Sequence, residues 1–181
     1  LQALLKFLKG KKCNLSERVV ITQHMPSAFT KILAGHLSKA TGLICEEAED
    51  GMLLKAGQVY VAPGDHHMTI SKEDGKFFVR LNQEAPENFC RPAVDTMFAS
   101  LAEVYGPQAL GVILTGMGQD GLKGSKLIVK GGGTIIAQNE ETSVVYGMNR
   151  VAVQSGAIQD IVPLEEIYKK IYCRGCLTFE F

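Results

Sequence analysis

Short β-branched runs alternate with amphipathic segments along most of the 181 residues. The run RVVIT (18–22) precedes a tight loop and then a helical pattern whose apolar face carries Phe29, Ile32, Leu33, His36 and Leu37. A second helix is predicted from about 93 to 105, with the following residues on its apolar face: Val94, Met97, Phe98, Leu101 and Val104. Buried-type strands are predicted at 109–114, 131–138 and 157–163, and helical patterns follow the first and last of them.

The stretch between these two parts of the chain has a different pattern. Runs at 58–65, 67–71 and 76–81 are separated by Pro63-Gly64 and Asp74-Gly75, which predicts short antiparallel strands. Strands that alternate with helices elsewhere predict a doubly wound α/β fold. We therefore expect one domain over 1–181, with a mostly parallel sheet, helices on both of its faces and an antiparallel hairpin at its edge.

The first residues have a helical pattern with no visible beginning. Apolar residues recur at helical spacing at Leu1, Leu4, Leu5 and Leu8, but no capping residue and no strand precede them. We interpret the chain as starting inside a structural element, so that a strand and a turn are expected upstream of it.

Charge and composition exclude several classes of function. Nineteen basic residues balance nineteen acidic ones, so no overall field attracts nucleic acid or anionic lipid. No apolar run approaches the ~20 residues of a membrane span, and a cytoplasmic protein is expected. Five cysteines at irregular spacing fit that compartment. Cys173 and Cys176 form one C-x-x-C, which cannot complete a tetrahedral zinc site alone, and neither a metal nor a cofactor is predicted.

The sequence TGMGQDG (115–121) admits two interpretations. Gly116, Gly118 and Gly121 spell a dinucleotide-binding fingerprint between a strand and a helix, with Glu140 where a ribose-binding acid is expected. Against this, Asp120 would sit where the pyrophosphate belongs, and its charge would repel the anion. The fingerprint also normally opens its domain, whereas most of an α/β domain precedes this one.

The other interpretation is that the loop presents Asp120. Asp is a common helix N-cap, and that is the structural alternative. His24, however, follows another strand, and the carboxyl ends of parallel strands meet at one edge of a sheet. We predict that His24 and Asp120 approach within hydrogen-bonding distance, roughly 2.6–3.2 Å, with the carboxylate fixing the histidine tautomer for general-base catalysis.

A general base needs a nucleophile, and no serine of this sequence follows a strand tip on a small-residue turn. The missing residue and the missing strand are both expected upstream of Leu1. Without the serine, His24 and Asp120 are predicted to retain little hydrolytic activity.

Five segments carry a resemblance to a known family: VVITQHMPSAFTKILAGHLSKATG, EAEDGMLLKAGQVYVAPGDHHM, RPAVDTMFASLAEVYG, GVILTGMGQDGLKG and IIAQNEETSVVYGMNRVAV. Together they resemble the catalytic domain of the chemotaxis protein-glutamate methylesterases, the CheB family. The paired motifs QHMP and TGMGQDG, in this order and spacing, are specific to it. Similarity extends from the first helix to the last strand.

The resemblance implies a Ser-His-Asp hydrolase that demethylates, and in many members deamidates, glutamyl side chains on the cytoplasmic helices of chemoreceptors. His24 matches the general base, Asp120 matches the orienting acid, and Met117 matches a residue that lines the site and supplies oxyanion contacts. No receiver domain is expected within these 181 residues, so response-regulator control would belong to a longer protein. A silent domain that only docks on receptors or a signalling partner is the alternative.

Other residues have weaker evidence for a role in the site than His24 and Asp120. Cys90 stands where the family commonly has a histidine. Arg91 holds either a substrate carboxylate or a backbone carbonyl. His66 and His67 are expected to be solvated turn residues, and His36 is expected to pack on the apolar face of its helix.

Overall fold

The computed structural model describes residues 17–173, in which strands and helices alternate. The strands are β1 (Val19–Ile21), β2 (Ile44–Glu47), β3 (Gln58–Val61), β4 (His67–Glu73), β5 (Lys76–Asn82), β6 (Leu110–Ile113), β7 (Thr134–Gln138) and β8 (Asp160–Val162). The α-helices are α1 (Ser27–Thr41), α2 (Val94–Tyr105), α3 (Leu122–Lys130), α4 (Gly147–Gln154) and α5 (Leu164–Cys173), and a 3₁₀ turn covers Gly106–Gln108. The helical pattern at Leu1–Leu8 and Cys176 lie outside the described residues. In 17–173, no helix combines the length and the apolar content that a bilayer crossing requires.

Two three-stranded parallel sheets organise the described chain. Their strand orders are β1-β3-β2 and β6-β7-β8. Each central strand carries consecutive buried apolar residues, Val59, Tyr60 and Val61 in β3 and Ile135 and Ile136 in β7. Such runs are typical of strands covered on both faces, since a half-exposed strand alternates apolar with polar residues. The α/β fold with parallel strands is therefore confirmed.

The antiparallel prediction was wrong for its first strand. β3 pairs in parallel with β1 on one side and β2 on the other, so neither edge is open to β4. β4 and β5 do form an antiparallel hairpin, closed at Asp74 and Gly75, whose φ values of 50° and 75° suit a tight two-residue turn. This hairpin forms a two-stranded sheet of its own.

Two elements have no clear signal in the sequence. β2 (Ile44–Glu47) buries only Cys45 and ends in two glutamates, and α4 begins at a glycine without a side-chain cap. The orientation of α1 also differs from the prediction. Its buried face contains Leu33, Ala34 and Leu37, whereas Phe29, Ile32 and His36 are exposed.

The helices α2 and α3 meet closely near their N-termini. A Cβ atom at Gly124 would lie 2.4 Å from Phe98 Cβ and 3.0 Å from the carbonyl oxygen of Asp95. Since real Cβ atoms do not come this close to a neighbour, the contact requires glycine. It brings the first turns of both helices, together with two buried aspartates, to one place.

Candidate active site

His24 lies in the loop that connects β1 to α1. The loop is held against the segment that follows β3, because Gly64 packs so closely that a Cβ there would lie 2.3 Å from the Ser27 backbone nitrogen. The His24 side chain is 29% exposed. The loop backbone is therefore fixed by packing, while the imidazole faces an accessible region.

Asp120 lies in the loop between β6 and α3 and is almost completely buried, with 2% of its surface exposed. It does not cap its own helix, whose N-cap residue is Gly121. Its carboxylate instead accepts backbone N–H groups at the start of α2, from Val94 to Oδ2 at 2.7 Å and from Asp95 to Oδ1 at 2.9 Å, and a further N–H from Gly121 at 3.0 Å. The positive end of a neighbouring helix thus stabilises the acid.

The two side chains form the predicted hydrogen bond. His24 Nε2 lies 2.6 Å from Asp120 Oδ2. Burial opposes ionisation of Asp120, but hydrogen bonds from His24, Val94 and Asp95 outweigh it and lower the pKa of this carboxyl below its ordinary value. An ionised acceptor keeps the proton on Nε2, so Nδ1 is the ring nitrogen left with a lone pair.

A second buried acid supports the first. Asp95 accepts the backbone N–H of Gly124 at 2.7 Å and the Asn88 side-chain amide at 2.9 Å, and the same amide lies 3.5 Å from Asp120 Oδ1. Burial, reinforced by the charge of Asp120, raises the pKa of Asp95, although these hydrogen bonds partly offset the effect. Neither Asn88 nor Asp95 was predicted from the sequence as a site residue. The signal for Asp95 was an acid next to the apolar face of its helix, in the first turn.

An open pocket of about 430 Å³ adjoins His24, and its wall includes Asp65, Phe89, Cys90 and Arg91. The Phe89 side chain is fully exposed, and its backbone φ of 64° is rare for a bulky residue. Burial and the nearby Asp120 charge raise the pKa of the Cys90 thiol. Cys90 is therefore a thiol at neutral pH and not an activated nucleophile.

Met117 shares the loop of Asp120, and its side chain is 82% exposed. The loop is held against the start of α4 and the residues just before it, since the N–H of Gly116 donates to the Val145 carbonyl and the N–H of Met148 donates to the Gly116 carbonyl. The contact that the resemblance implies for Met117 stays a prediction.

Arg91 is engaged by the protein itself. Its guanidinium contacts Asp65 Oδ1 from Nε at 3.1 Å and from Nη2 at 2.6 Å, and Nη1 donates to the carbonyls of Gln83 and Glu84. Two roles were predicted for Arg91, binding a substrate carboxylate or binding a backbone carbonyl, and the structure shows the second. Its exposed edge still faces the pocket.

The other histidines differ from the predictions. His67 is buried, with 1% of its surface exposed. Both ring nitrogens have partners there: the N–H of Ala93 donates to Nδ1 at 3.3 Å, and Nε2 lies 3.2 Å from the carbonyl oxygen of Ala85. It ties the pocket loop to β4 instead of lying in solvent. His66 is half-buried, and His36 is exposed instead of packed.

The dinucleotide alternative does not fit this geometry. A backbone N–H in the first turn of α3, that of Gly124, already donates to the Asp95 carboxylate. Glu140 lies at the surface and pairs with Arg150 at 2.9 Å. A pyrophosphate would meet two buried acids at the N-terminus of α3.

Comparison with known proteins decides the family. The family model described as CheB methylesterase matches residues 1–171. The chain belongs to the CheB methylesterase family. Its fold resembles the crystal structure of the Thermotoga maritima CheB methylesterase catalytic domain, with a TM-score of 0.91, 39% identity and coverage of 94% of this chain and 90% of that one. The resemblance drawn from QHMP and TGMGQDG is confirmed.

Curated CheB relatives are similar in sequence but much longer. A protein-glutamate methylesterase/protein-glutamine glutaminase 1 of Rhodospirillum rubrum is 50% identical over 152 residues, covering 84% of this chain and 39% of that protein. One from Maricaulis maris is 50% identical over 166 residues, covering 92% of this chain and 41% of that protein. The chain thus spans about two fifths of the length of these relatives.

Proposed function

We propose that this protein is a protein-glutamate methylesterase in which His24 is the general base and Asp120 the acid that orients it. The observation that carries the proposal is the 2.6 Å bond from His24 Nε2 to a carboxylate held by three backbone N–H groups. The reaction is taken from the names of the relatives, and the hydrogen bond supports the choice of His24 and Asp120 as the groups that perform it.

The reaction needs a hydroxyl nucleophile, which we expect to be a serine upstream of Leu1. Nδ1 of His24 removes the serine proton while the serine oxygen attacks the ester carbonyl of the glutamyl side chain. The imidazolium returns the proton to the methoxide, so methanol leaves and an acyl-enzyme remains. A water then donates its proton to His24, attacks the acyl carbon and releases glutamate and the serine hydroxyl. Asp120 stabilises the imidazolium in both halves.

Glutamine deamidation follows the same course with a different leaving group. The acyl-enzyme is identical, and ammonia takes the place of methanol. Because the proposed base is hydrogen-bonded to an ionised carboxylate, it can protonate either leaving group as it departs. We therefore extend the proposal to glutaminase activity, in line with the names of the relatives.

The substrate we propose is a methylated glutamate on a cytoplasmic chemoreceptor helix. The pocket beside His24 is open, which suits a side chain presented on the surface of another protein. Arg91 and Met117 are proposed to contact that partner at the rim. A cytoplasmic location, and control by a receiver domain in the longer protein, belong to the same proposal.

The test measures methanol release from methylated receptor segments by the full-length protein, alongside His24→Ala and Asp120→Asn variants. Activity that falls in both variants, with unchanged secondary structure in the circular-dichroism spectrum, supports the proposal. Full activity in His24→Ala would refute it. Receptor binding without hydrolysis by the wild type would favour the silent docking domain instead.

A further inference from the structure

A thiol lies beside the proposed catalytic pair. Three possible metal-binding atoms lie within 4.8 Å of one another: a ring nitrogen of His24, the sulfur of Cys90 and a carboxylate oxygen of Asp120. The three residues come from three different loops, which follow β1, β5 and β6. They combine nitrogen, sulfur and oxygen donors, and Zn²⁺ binds all three donor types in proteins.

We propose that His24, Cys90 and Asp120 form a Zn²⁺ site that withdraws His24 and Asp120 from catalysis. The inhibitory consequence rests on the proposed function, but the binding site does not. In this site the metal takes the place of the proton between His24 Nε2 and Asp120 Oδ2, the displaced imidazole proton moves through solvent to Nδ1, and Cys90 Sγ completes three protein ligands. The thiol proton passes to solvent when the sulfur binds the metal.

The acid side of the site is already in place for this exchange. Asp120 Oδ2 keeps the N–H of Val94 at 2.7 Å, and Oδ1 keeps those of Asp95 and Gly121. Only the direction now occupied by the His24 proton is needed for the cation. The carboxylate can therefore bind a metal without losing the bonds that fix it to α2.

The base side can make the necessary adjustment. Zinc bonds of about 2.0–2.3 Å hold ligand atoms more than 3 Å apart, so the 2.6 Å separation between Nε2 and Oδ2 has to widen by less than about 1 Å. The imidazole is partly exposed and reaches the pocket, which leaves it room to swing outward. The pocket also leaves a fourth position open for water.

The test uses Co²⁺ as a visible probe and Zn²⁺ as a competitor. Cys13 and the C-x-x-C of Cys173 and Cys176 offer other thiolates to cobalt. The background protein is therefore the full-length protein with Cys13→Ser, Cys173→Ser and Cys176→Ser, and its metal is first removed with a chelator. We expect Co²⁺ to produce a thiolate-to-cobalt charge-transfer band, Zn²⁺ to displace it and Mg²⁺ to leave it unchanged.

Matched variants locate the ligands. Cys90→Ala, Cys90→Ser and His24→Ala should each abolish the band or weaken Zn²⁺ binding at least ~100-fold, since removal of even a supporting partner costs up to that much. Phe89→Ala, in the same loop, should keep the band. An unchanged band in Cys90→Ala, or no band in the background protein, would overturn the proposal.

Activity then separates this inference from the proposed function. Zn²⁺ should inhibit methanol release by the background protein, and a chelator should restore it. Cobalt binding through Cys90 in a protein without esterase activity would leave the metal site standing and remove the proposed function. Esterase activity that zinc does not inhibit, together with no cobalt band, would leave the proposed function standing and remove the metal site.

Discussion

The two strand ends that supply the proposed catalytic pair are built differently. After β1, His24 stands 29% exposed at a pocket and is bonded to Asp120. After β6, Asp120 is 2% exposed and accepts three backbone N–H groups besides the histidine. The acid is part of the packing between α2 and α3, whereas the base is held mainly through the acid.

This difference teaches where the orientation of the site comes from. A carboxylate fixed by backbone groups does not have to reorganise when positive charge develops on the imidazole, and such preorganised groups are the effective ones in catalysis. The comparison predicts that changes at the base cost mainly activity, whereas changes at the acid cost both activity and a larger share of the stability.

The largest expected effect is at the base. In the full-length protein, His24→Ala should lower the methylesterase rate on the order of 10⁶-fold, as loss of the base does in a related mechanism. Its free energy of unfolding should fall by about 1–2 kcal/mol, less than at the acid, because Asp120 loses one charge-assisted hydrogen bond but keeps its three backbone N–H donors. Rate assays and urea unfolding measure the two quantities. A large loss of stability would break the comparison.

At the acid, Asp120→Asn should lower the rate on the order of 10⁴-fold, since the amide no longer selects the productive histidine tautomer. It should also destabilise the fold by about 2–4 kcal/mol, because the amide NH₂ opposes backbone donors at the start of α2. The same two measurements apply. A variant that loses activity at wild-type stability would show that α2 does not depend on this carboxylate.

The pH dependence of stability checks the same acid. Because folding lowers the pKa of Asp120, its stabilisation is complete above the ordinary Asp pKa of about 3.9 and is lost as pH falls through the lower folded-state value. The stability difference between wild type and Asp120→Asn should thus stay constant from pH 7 to about pH 5 and shrink in more acidic solution. Urea titrations across this range would show it. A difference that grows towards low pH would contradict the sign.

The contact between α2 and α3 offers a smaller effect with a matched control. Gly124→Ala should destabilise by roughly 1–3 kcal/mol, since the new methyl group meets Phe98 and the Asp95 carbonyl. Gly35→Ala, in the middle of α1, meets nothing within 4 Å and should instead stabilise by up to about 1 kcal/mol. Thermal unfolding of both variants decides this. Equal changes in stability for the two variants would mean that the fold does not need the close approach of α2 and α3 at Gly124.

Parts of this picture were predictable from the sequence, and the reasons are local. The β-branched runs predicted β1, β6 and β7. The contact between His24 and Asp120 was predictable because both residues follow parallel strands, which end at a common edge of a sheet. The partners of Asp120 were not predictable, since they are backbone groups of α2, some 25 residues earlier in the chain. β2 was missed because a strand that pairs along one side of β3 needs only one buried residue.

The smallest effect concerns an acid that follows β7 in the β6-β7-β8 sheet. Glu140 comes after β7 much as Asp120 comes after β6, so the pattern of the sequence treats them alike. Glu140, however, is exposed and pairs with Arg150, which is exposed as well, and ion pairs of this kind contribute about 0–1 kcal/mol. Glu140→Gln should therefore alter stability by less than about 0.5 kcal/mol and leave methanol release unchanged. Unfolding and rate measurements beside Asp120→Asn would show the contrast. A loss of activity in Glu140→Gln would mean that both acids take part in the reaction, and that burial against α2 does not distinguish Asp120, the acid of the proposed pair, from Glu140.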